Sequence, residues 1–238
     1  MRRIVLPQAK SATVPETLAA FASRMMTATF SSAATQEEAE SFLRGFAAYP
    51  PVDAVFVDQP WVEFAREILA PQGIRLGVEA AYPVGNASTE AKVAAIREGI
   101  RRGAQEIDIG SSFSAIKSGH FDDVEVDARA MVEAAEGKIW MMVVPETAIL
   151  TSDELLRTLE AFARAGVRGI KTSSGYGWNT QIEHVLLIRR RFGSTFQVDV
   201  SGGVRTLEDA LGYFAVGTDK IHASPIFRIL DEAKGHWS

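Results

Sequence analysis

The stretch "GIKTSSGYGW", residues 169–178, places Lys171 directly after an apolar run and directly before a loop of small, polar and aromatic residues. An ammonium group at the end of a buried strand costs free energy unless it has a partner or a chemical role. A lysine amine can attack a carbonyl carbon, and burial favours the neutral form that this attack needs. The alternative is a structural ion pair between Lys171 and Asp108 or Asp199. The lysine by itself leaves both interpretations open.

Two aspartates lie within apolar runs and are candidates for proton transfer. Asp108 stands between two isoleucines in "EIDIG", and Asp199 stands between two valines in "FQVDV". Alternate residues of a barrel strand point inward, so both carboxylates can reach the interior. A carboxylate beside Lys171 could move protons on and off a carbinolamine. We therefore predict that Lys171, Asp108 and Asp199 are the catalytic residues.

A second set of small and polar residues is predicted to bind the substrate. The segment "VSGGVRTLEDA", residues 200–210, is a compact turn into a helix, where backbone N–H groups can hold a phosphate. The alternative is a tight turn without a ligand, because a Gly-Gly pair alone is weak evidence. The predicted substrate- and phosphate-binding residues are Thr172, Ser173, Gly175, Ser201, Gly202, Gly203, His222 and Ser224.

Eight apolar runs predict strands, and the amphipathic stretches between them predict helices. The runs cover residues 25–30, 54–58, 74–80, 106–110, 138–144, 167–171, 196–200 and 219–223. This alternation indicates parallel strands joined by crossover helices, and eight such units favour an α/β fold, a (β/α)8 TIM barrel in a single domain. A doubly wound open sheet is the alternative, although no Gly-x-Gly-x-x-Gly follows the first strand.

The barrel domain is predicted over residues 25–238, after an N-terminal extension over residues 1–24 that contains a short helix. A capping box formed by Thr151 and Glu154 marks the start of one barrel helix. Active sites of such barrels lie at the C-terminal ends of the strands. The predicted catalytic residues stand near strand ends, so we expect them to meet there.

Composition limits the partners of the protein. The 238 residues carry a net charge of −5, which argues against general binding to nucleic acid or to an anionic membrane. Cysteine is absent, so disulfides and thiolate metal sites are excluded. No signal-peptide core follows the first two arginines, and no run is long enough to span a membrane. We expect a cytoplasmic homo-oligomer, a dimer, that takes a small-molecule ligand.

Four segments, taken in order, resemble the deoxyribose-phosphate aldolase family, the DeoC-type class I aldolases. They are "YPVGNASTEAKVAAIREGIRRGAQEIDIG", "VVPETAILTSDE", "GIKTSSGYG" and "VSGGVRTLEDAL". The third is similar to the family's Lys-Thr-Ser-Thr-Gly-Phe signature, and the fourth to its Ser-Gly-Gly-Ile-Arg-Thr stretch. The resemblance implies a (β/α)8 barrel that cleaves 2-deoxyribose 5-phosphate to acetaldehyde and glyceraldehyde 3-phosphate and needs no metal or other cofactor. It also makes Lys171 the Schiff-base lysine, Asp108 the catalytic aspartate, and Gly202, Gly203 and Ser224 part of the phosphate site.

The chain departs from this family pattern around the lysine. Asp199 stands where the family has a second lysine, and Met142 stands where it has a lysine on strand five. His222 replaces a glycine of strand eight, and Pro225 removes one N–H donor after Ser224.

These departures predict a divergent class I aldolase, a lyase whose Lys171 is activated mainly by desolvation. Its expected substrate is a small aldehyde, a sugar or a sugar phosphate. The alternative is a barrel without aldolase activity, either a sugar-phosphate-binding protein or an isomerase or epimerase, in which Lys171 is an electrostatic contact.

Overall fold

The computed structural model describes residues 13–28, 34–83 and 85–238. Residues 1–12 of the predicted N-terminal extension and residues 29–30 of the first predicted strand lie outside the described residues.

Within the described residues, eight parallel strands form a closed barrel in which each strand pairs with the next. In chain order they are β1 (Met25–Ala28), β2 (Ala54–Phe56), β3 (Arg75–Ala80), β4 (Glu106–Gly110), β5 (Trp140–Val144), β6 (Gly169–Lys171), β7 (Gln197–Ser201) and β8 (Lys220–His222). The last strand pairs with the first, with Met26 opposite His222. The (β/α)8 prediction is therefore confirmed, and the open-sheet alternative is wrong because no strand edge is left unpaired.

Helices on the outside of the barrel connect the strands. They are α1 (Leu18–Ala22), α2 (Gln36–Gly45), α3 (Val62–Leu69), α4 (Thr89–Arg102), α5 (Phe113–Lys117), α6 (Phe121–Ala135), α7 (Ser152–Ala165), α8 (Ile182–Phe192), α9 (Leu207–Ala215) and α10 (Ile226–His236). Short 3₁₀ turns lie at Phe46–Ala48, Gln59–Trp61, Ala70–Gln72 and Thr147–Ile149.

Helix α7 shows how local sequence fixes a boundary. The Thr151 hydroxyl accepts a hydrogen bond from the Glu154 N–H, and the Glu154 carboxylate accepts one from the Thr151 N–H. Such a cap stabilises a helix by about 1 kcal/mol. At the other end Gly166 adopts a left-handed conformation, with φ of 89°, that closes the last turn. The capping box predicted from the sequence is confirmed.

The strand residues face two different parts of the interior, the layer between barrel and helices and the inside of the barrel. One set, which includes Ile107, Ile109, Val198 and Val200, belongs to the main apolar core between the barrel and its helices. The residues that alternate with them face the inside of the barrel. There the side near β1 and β2 is filled by a small separate apolar cluster of Met26, Ala28, Ala54 and Phe56. Much of the remaining barrel interior is polar.

The charged interior residues lie in two layers. In the layer nearer the N-terminal ends of the strands, the Arg75 guanidinium contacts Asp53 at 2.5 Å and Glu106 at 2.7 Å. Lys220 also contacts Asp53. Asp108 lies two residues after Glu106 on β4. It forms the second layer together with Lys171 of β6. The second layer is therefore at the end of the barrel where active sites form.

The residues before β1 pack against the last two helices. The Phe21 ring of α1 lies 6.0 Å from that of Phe214 in α9 and 5.4 Å from that of Trp237, measured between centroids. The Arg24 side chain donates a hydrogen bond of 2.7 Å to the Asp219 carbonyl. A short helix is present where one was expected, and the division into an extension and a barrel domain stays a prediction. Within residues 13–28, 34–83 and 85–238, no helix has both the length and the apolar character needed to cross a membrane.

Candidate active site

Lys171 is the last residue of β6, and its side chain is 1% exposed. Its Nζ donates a hydrogen bond of 2.8 Å to Oδ2 of Asp108 in β4, which is fully buried. Oε1 of Glu79 in β3 lies 3.6 Å from the same nitrogen. The structure thus brings two of the three predicted catalytic residues into direct contact and adds a carboxylate that was not predicted.

Asp199, the third predicted catalytic residue, lies opposite Lys171 in the β6–β7 pairing. It is fully buried, and neither of its carboxylate oxygens has a hydrogen-bond partner among the described residues. Burial raises the pKa of Asp199 well above its ordinary value, and the charge of Lys171 only partly opposes this. A buried carboxyl group without a protein partner is costly, which indicates that its partner is a ligand or water.

Aromatic side chains complete the surroundings of the Lys171 amine. Its Nζ lies 5.7 Å from the ring centroid of Phe56 and 5.4 Å from that of Tyr82. His222 of β8 packs against Phe56 with a centroid distance of 5.1 Å, and its Nδ1 lies 3.8 Å from Asp108 Oδ2. Burial, followed by the charge of Lys171, lowers the pKa of His222 well below its ordinary value. The imidazole is therefore neutral near pH 7.

The expectation that desolvation activates Lys171 by lowering its pKa is wrong. Burial is the largest single influence and lowers the pKa of Lys171, but Asp108, Glu79 and Asp199 together raise it above the ordinary value. Burial in turn raises the pKa of Asp108 to about 6, against the opposing charge of Lys171. Burial also raises the pKa of Glu79. Near pH 7 the lysine is therefore an ammonium that contacts a carboxylate of increased basicity.

A cavity of about 260 Å³ lies above β7 and β8. Its lining residues are Ser174, Gly175, Tyr176, Ser201, Gly202, Gly203, Val204, His222, Ala223 and Ser224. Six of the eight predicted substrate-binding residues are in this set. No lysine or arginine is among the ten, so an anion held here would depend on backbone N–H groups and hydroxyls.

The other two predicted binding residues, Thr172 and Ser173, hold the loop after β6 in place. The Thr172 hydroxyl lies 2.6 Å from that of Thr180. The Ser173 hydroxyl donates to the Trp178 carbonyl at 3.0 Å and accepts from the Gly175 N–H at 3.0 Å. Neither residue lines the cavity, and a direct contact with substrate stays a prediction for both.

The loop after β5 is fixed to the loop after β6 by Glu146. Its carboxylate accepts hydrogen bonds from the Ser174 N–H at 2.8 Å and from the Ser174 hydroxyl at 2.6 Å. Both residues are buried. Glu146 therefore positions one wall of the cavity.

The N-terminus of α9 is capped by its own side chains. The Thr206 hydroxyl accepts from the Asp209 N–H, and the Asp209 carboxylate accepts from the N–H groups of Arg205 and Thr206. The Leu207 N–H donates to Glu232. An anion near this turn would therefore meet residues 201–203 rather than the first turn of the helix.

Sequence reasoning missed Glu79 and Tyr82. Glu79 interrupts the apolar run of residues 74–80 and lies opposite Asp108 in the β3–β4 pairing. A charged residue at an inward position near a strand end is the signal that identified Asp108, so the same signal was available for Glu79. Tyr82 carries no such signal, because it follows β3 in a loop where an aromatic residue is ordinarily an anchor.

One group of side chains in the site has the composition of a cation site. Asp108, Asp199 and His222 each place one potential ligand atom within 4.8 Å of the others. The Lys171 amine already contacts Asp108 and competes with a metal ion for that carboxylate. The expectation of a metal-independent enzyme stays a prediction, and the mechanism proposed below assigns no step to a metal.

A closed (β/α)8 barrel with a buried lysine–carboxylate pair at the C-terminal ends of its strands fits an enzyme of carbonyl chemistry, in the class of the lysine-dependent barrel aldolases. Known proteins bear this out. The chain is 35% identical over 198 residues to deoxyribose-phosphate aldolase 2 of Oceanobacillus iheyensis, covering 83% of this chain and 88% of that protein. It is 37% identical over 183 residues to deoxyribose-phosphate aldolase 2 of Bacillus licheniformis, covering 76% and 82%.

Solved structures agree with the sequence relatives. A protein from Coccidioides immitis described as a deoxyribose-phosphate aldolase superimposes with a TM-score of 0.86 at 25% identity, covering 95% of this chain and 90% of that one. The aldolase QR15 gives a TM-score of 0.83 at 28% identity, covering 91% and 96%. No protein-family model matches the chain. The chain belongs to the deoxyribose-phosphate aldolase family, whose members are class I aldolases and lyases. The comparisons support this function rather than the alternative of a barrel without aldolase activity.

Proposed function

We propose that Lys171 forms an imine with a small aldehyde and that Asp108 is the base that first removes its proton. The observation that carries the proposal is the buried hydrogen bond of 2.8 Å between Lys171 Nζ and Asp108 Oδ2. A buried ion pair stabilises a fold little or not at all compared with apolar residues of similar volume. An ion pair at the active-site end of the barrel is therefore a candidate for a chemical role, and the resemblance in the surrounding segments supports this one.

The first step of the proposed reaction begins with transfer of a proton from the Lys171 ammonium to Asp108 along this hydrogen bond. The neutral amine then attacks the aldehyde carbon, which forms an N–C bond and moves the C–O π pair onto oxygen. Loss of water from the carbinolamine gives a protonated imine. The raised pKa of Asp108, about 6, makes it a better proton acceptor than an ordinary aspartate and so favours this step.

Bond cleavage follows from the positive charge on the imine. A base removes the proton of the hydroxyl group on the carbon two positions from the imine carbon, and the bond between that carbon and the intermediate carbon breaks. Its electron pair moves into the imine, which becomes an enamine, and a second aldehyde leaves. Protonation of the enamine carbon and hydrolysis of the imine release the first product and restore the lysine. Asp199, on the strand next to Lys171, is proposed as the second proton-transfer group in these steps.

The proposed substrate is a deoxysugar phosphate or a closely related hydroxylated aldehyde. Its phosphate end would lie against the turn formed by Ser201, Gly202 and Gly203, and near Ser224. The names of the relatives support a deoxyribose phosphate as the reference compound. The absence of lysine and arginine from the cavity lining favours weaker discrimination between phosphorylated and unphosphorylated substrates than a cationic site would give.

Reductive trapping tests the imine directly. The protein is incubated with borohydride and a panel of aldehydes that includes acetaldehyde and 2-deoxyribose with and without its 5-phosphate. We expect an irreversible mass increase, located by peptide mapping on the peptide that contains Lys171. The neutral amine is a minor species near pH 7, so trapping should be faster at higher pH.

Two variants complete this experiment. Lys171→Met removes the amine and should abolish both trapping and carbon–carbon cleavage, whereas Lys138→Met changes an exposed lysine of a loop far from the site and should alter neither. An adduct that persists in Lys171→Met, or turnover by that variant, would overturn the assignment of Lys171.

We also propose that the protein is a homodimer. Ile182 and Leu186 are exposed on one face of α8, one helical turn apart, and are 39% and 46% accessible. Contiguous exposed apolar surface marks contact surfaces when the patch is large, and these two residues would be the centre of such a patch. Light scattering during size-exclusion chromatography should give twice the chain mass of 25.9 kDa. Leu186→Lys should shift the protein towards the monomer, and a monomeric wild-type protein would contradict the proposal.

A further inference from the structure

The Tyr82 hydroxyl is a buried polar group that has no place in the mechanism given above. Its oxygen is shielded from solvent and has no hydrogen-bond partner among the described residues. The other buried tyrosine hydroxyl, that of Tyr213, donates a hydrogen bond of 2.6 Å to the Thr180 carbonyl. Buried phenol groups normally have a partner, so the isolated hydroxyl of Tyr82 indicates a partner that arrives with the substrate.

The position of Tyr82 supports this interpretation. Its ring centroid lies 5.4 Å from Lys171 Nζ, which is the nitrogen that would attack the aldehyde. Its ring also meets that of Tyr176, a residue of the cavity wall, edge to face at 6.2 Å. Tyr82 therefore contacts both the nucleophile and a residue that lines the cavity.

The other buried polar atoms near the amine belong to carboxyl groups, which accept hydrogen bonds and cannot donate them while they are ionised. Oε1 of Glu79, Oδ1 of Asp108 and both carboxylate oxygens of Asp199 are buried without a hydrogen-bond partner among the described residues. A carbonyl oxygen gains negative charge when an amine attacks its carbon, and a donor aimed at it lowers the barrier. Burial, then the charges of Asp108 and Glu79, raise the pKa of Tyr82 well above its ordinary value, so the phenol keeps its proton and can donate.

We propose that Tyr82 is a further catalytic residue, whose hydroxyl donates a hydrogen bond to the oxygen of the aldehyde carbon that Lys171 attacks. This inference rests on the proposed imine mechanism. In the step concerned, the nitrogen lone pair forms the N–C bond, the C–O π pair moves to oxygen, and one amine proton ends on that oxygen. Tyr82 stabilises the developing charge and is not consumed.

Tyr82→Phe tests the proposal because it removes one oxygen atom and keeps the ring. We expect the rate of imine trapping by borohydride, and kcat, to fall on the order of 10²-fold, as for the loss of one oxyanion donor. KM should change little, because the hydrogen bond strengthens mainly in the transition state. The melting temperature should stay the same or rise, because the variant removes a buried hydroxyl that has no partner in the folded protein.

The matched control is Tyr49→Phe, which removes a hydroxyl that donates to Asp231 on the outside of the barrel. It should leave the trapping rate unchanged and should not raise the melting temperature.

If the wild type forms an adduct and Tyr82→Phe forms it at the same rate, the inference about Tyr82 is overturned and the proposed function stands. If the wild type forms no adduct with any aldehyde, the proposed function fails and the role of Tyr82 fails with it. A fall in activity that merely follows a lower melting temperature would show a structural role and would also overturn the proposal.

Discussion

Lys171 is a single ammonium placed among several buried carboxyl groups. Asp108 contacts it at 2.8 Å, Glu79 lies at 3.6 Å, and Asp199 is its neighbour on β7. These groups hold the amine in its protonated form, while their own pKa values are raised by burial. The same arrangement that disfavours the neutral amine therefore provides acceptors for its proton. The fraction of Lys171 that is neutral therefore depends on how many of these carboxyl groups are ionised.

Glu79→Gln should make Lys171 a better nucleophile near pH 7. The substitution removes a carboxylate that raises the pKa of the lysine and keeps the size of the side chain. A decrease of one pKa unit gives about a tenfold larger fraction of neutral amine below the pKa. We expect the alkaline rise of the trapping rate to move to lower pH, and the rate at pH 7 to increase by up to about tenfold.

Glu67→Gln, on the exposed side of α3, is the matched control and should leave the pH profile unchanged. A Glu79→Gln profile that superimposes on the wild type would show that Glu79 is protonated, and electrostatically silent, over the range measured.

The loops after β6 and β7 line most of the cavity, and one glycine allows the two loops to contact each other closely. Gly202 has φ of 82°, and a Cβ atom there would lie 2.4 Å from the Trp178 carbonyl oxygen and 3.0 Å from the Ser173 hydroxyl oxygen. The Thr180 N–H donates to the Gly202 carbonyl at 3.1 Å, which joins the two loops. The close contact between these loops therefore depends on the absence of a side chain at position 202.

Gly202→Ala should destabilise the protein and weaken substrate binding together. The left-handed backbone alone costs an alanine roughly 1–2 kcal/mol, and the collision with Trp178 adds to this because a backbone carbonyl cannot move aside freely. Gly137→Ala is the matched control, since its φ is 64° and nothing lies within 4 Å of a Cβ atom there. Urea unfolding should show a larger loss for Gly202→Ala, and KM should rise only in that variant. Equal losses of unfolding free energy in Gly202→Ala and Gly137→Ala would show that the two loops can move apart without a cost in stability.

The barrel and its lysine were predictable because their signals are local. Alternating apolar runs follow from strands that face helices on one side, and all eight appear as strands. Lys171 and Asp108 stand out as charges inside such runs. The direction of the lysine pKa shift was not predictable, because it depends on how closely Asp108, Glu79 and Asp199 approach Lys171 in the closed barrel. Such a contact between distant residues is set by barrel closure rather than by neighbouring sequence.

Across the whole molecule, the barrel interior holds charges that a core built only for stability would not contain. The layer around Arg75 pairs its carboxylates with two cations, whereas the layer around Lys171 contains more carboxyl groups than cations. Ionising the second layer therefore works against folding. A carboxyl group whose pKa is raised in the folded state stabilises the fold fully below its unfolded pKa, and this contribution is lost as the pH rises through the folded pKa. For Asp108 that window runs from about 3.8 to about 6.

Lys171→Met should widen this window and make stability more dependent on pH. The lysine lowers the pKa of Asp108, so its removal raises that pKa further above 6. We expect the free energy of unfolding of the variant, measured by urea titration, to match the wild type near pH 5 and to fall below it by about 1–3 kcal/mol at pH 8, because one pKa unit corresponds to about 1.4 kcal/mol. Adding Asp108→Asn to the variant should remove the part of the extra pH dependence that comes from Asp108, while the part from Glu79 and Asp199, whose pKa values Lys171 also lowers, should remain. Parallel curves for the wild type and Lys171→Met would mean that Asp108 is already neutral beside Lys171, and Asp108 could then not be the base that takes the lysine proton.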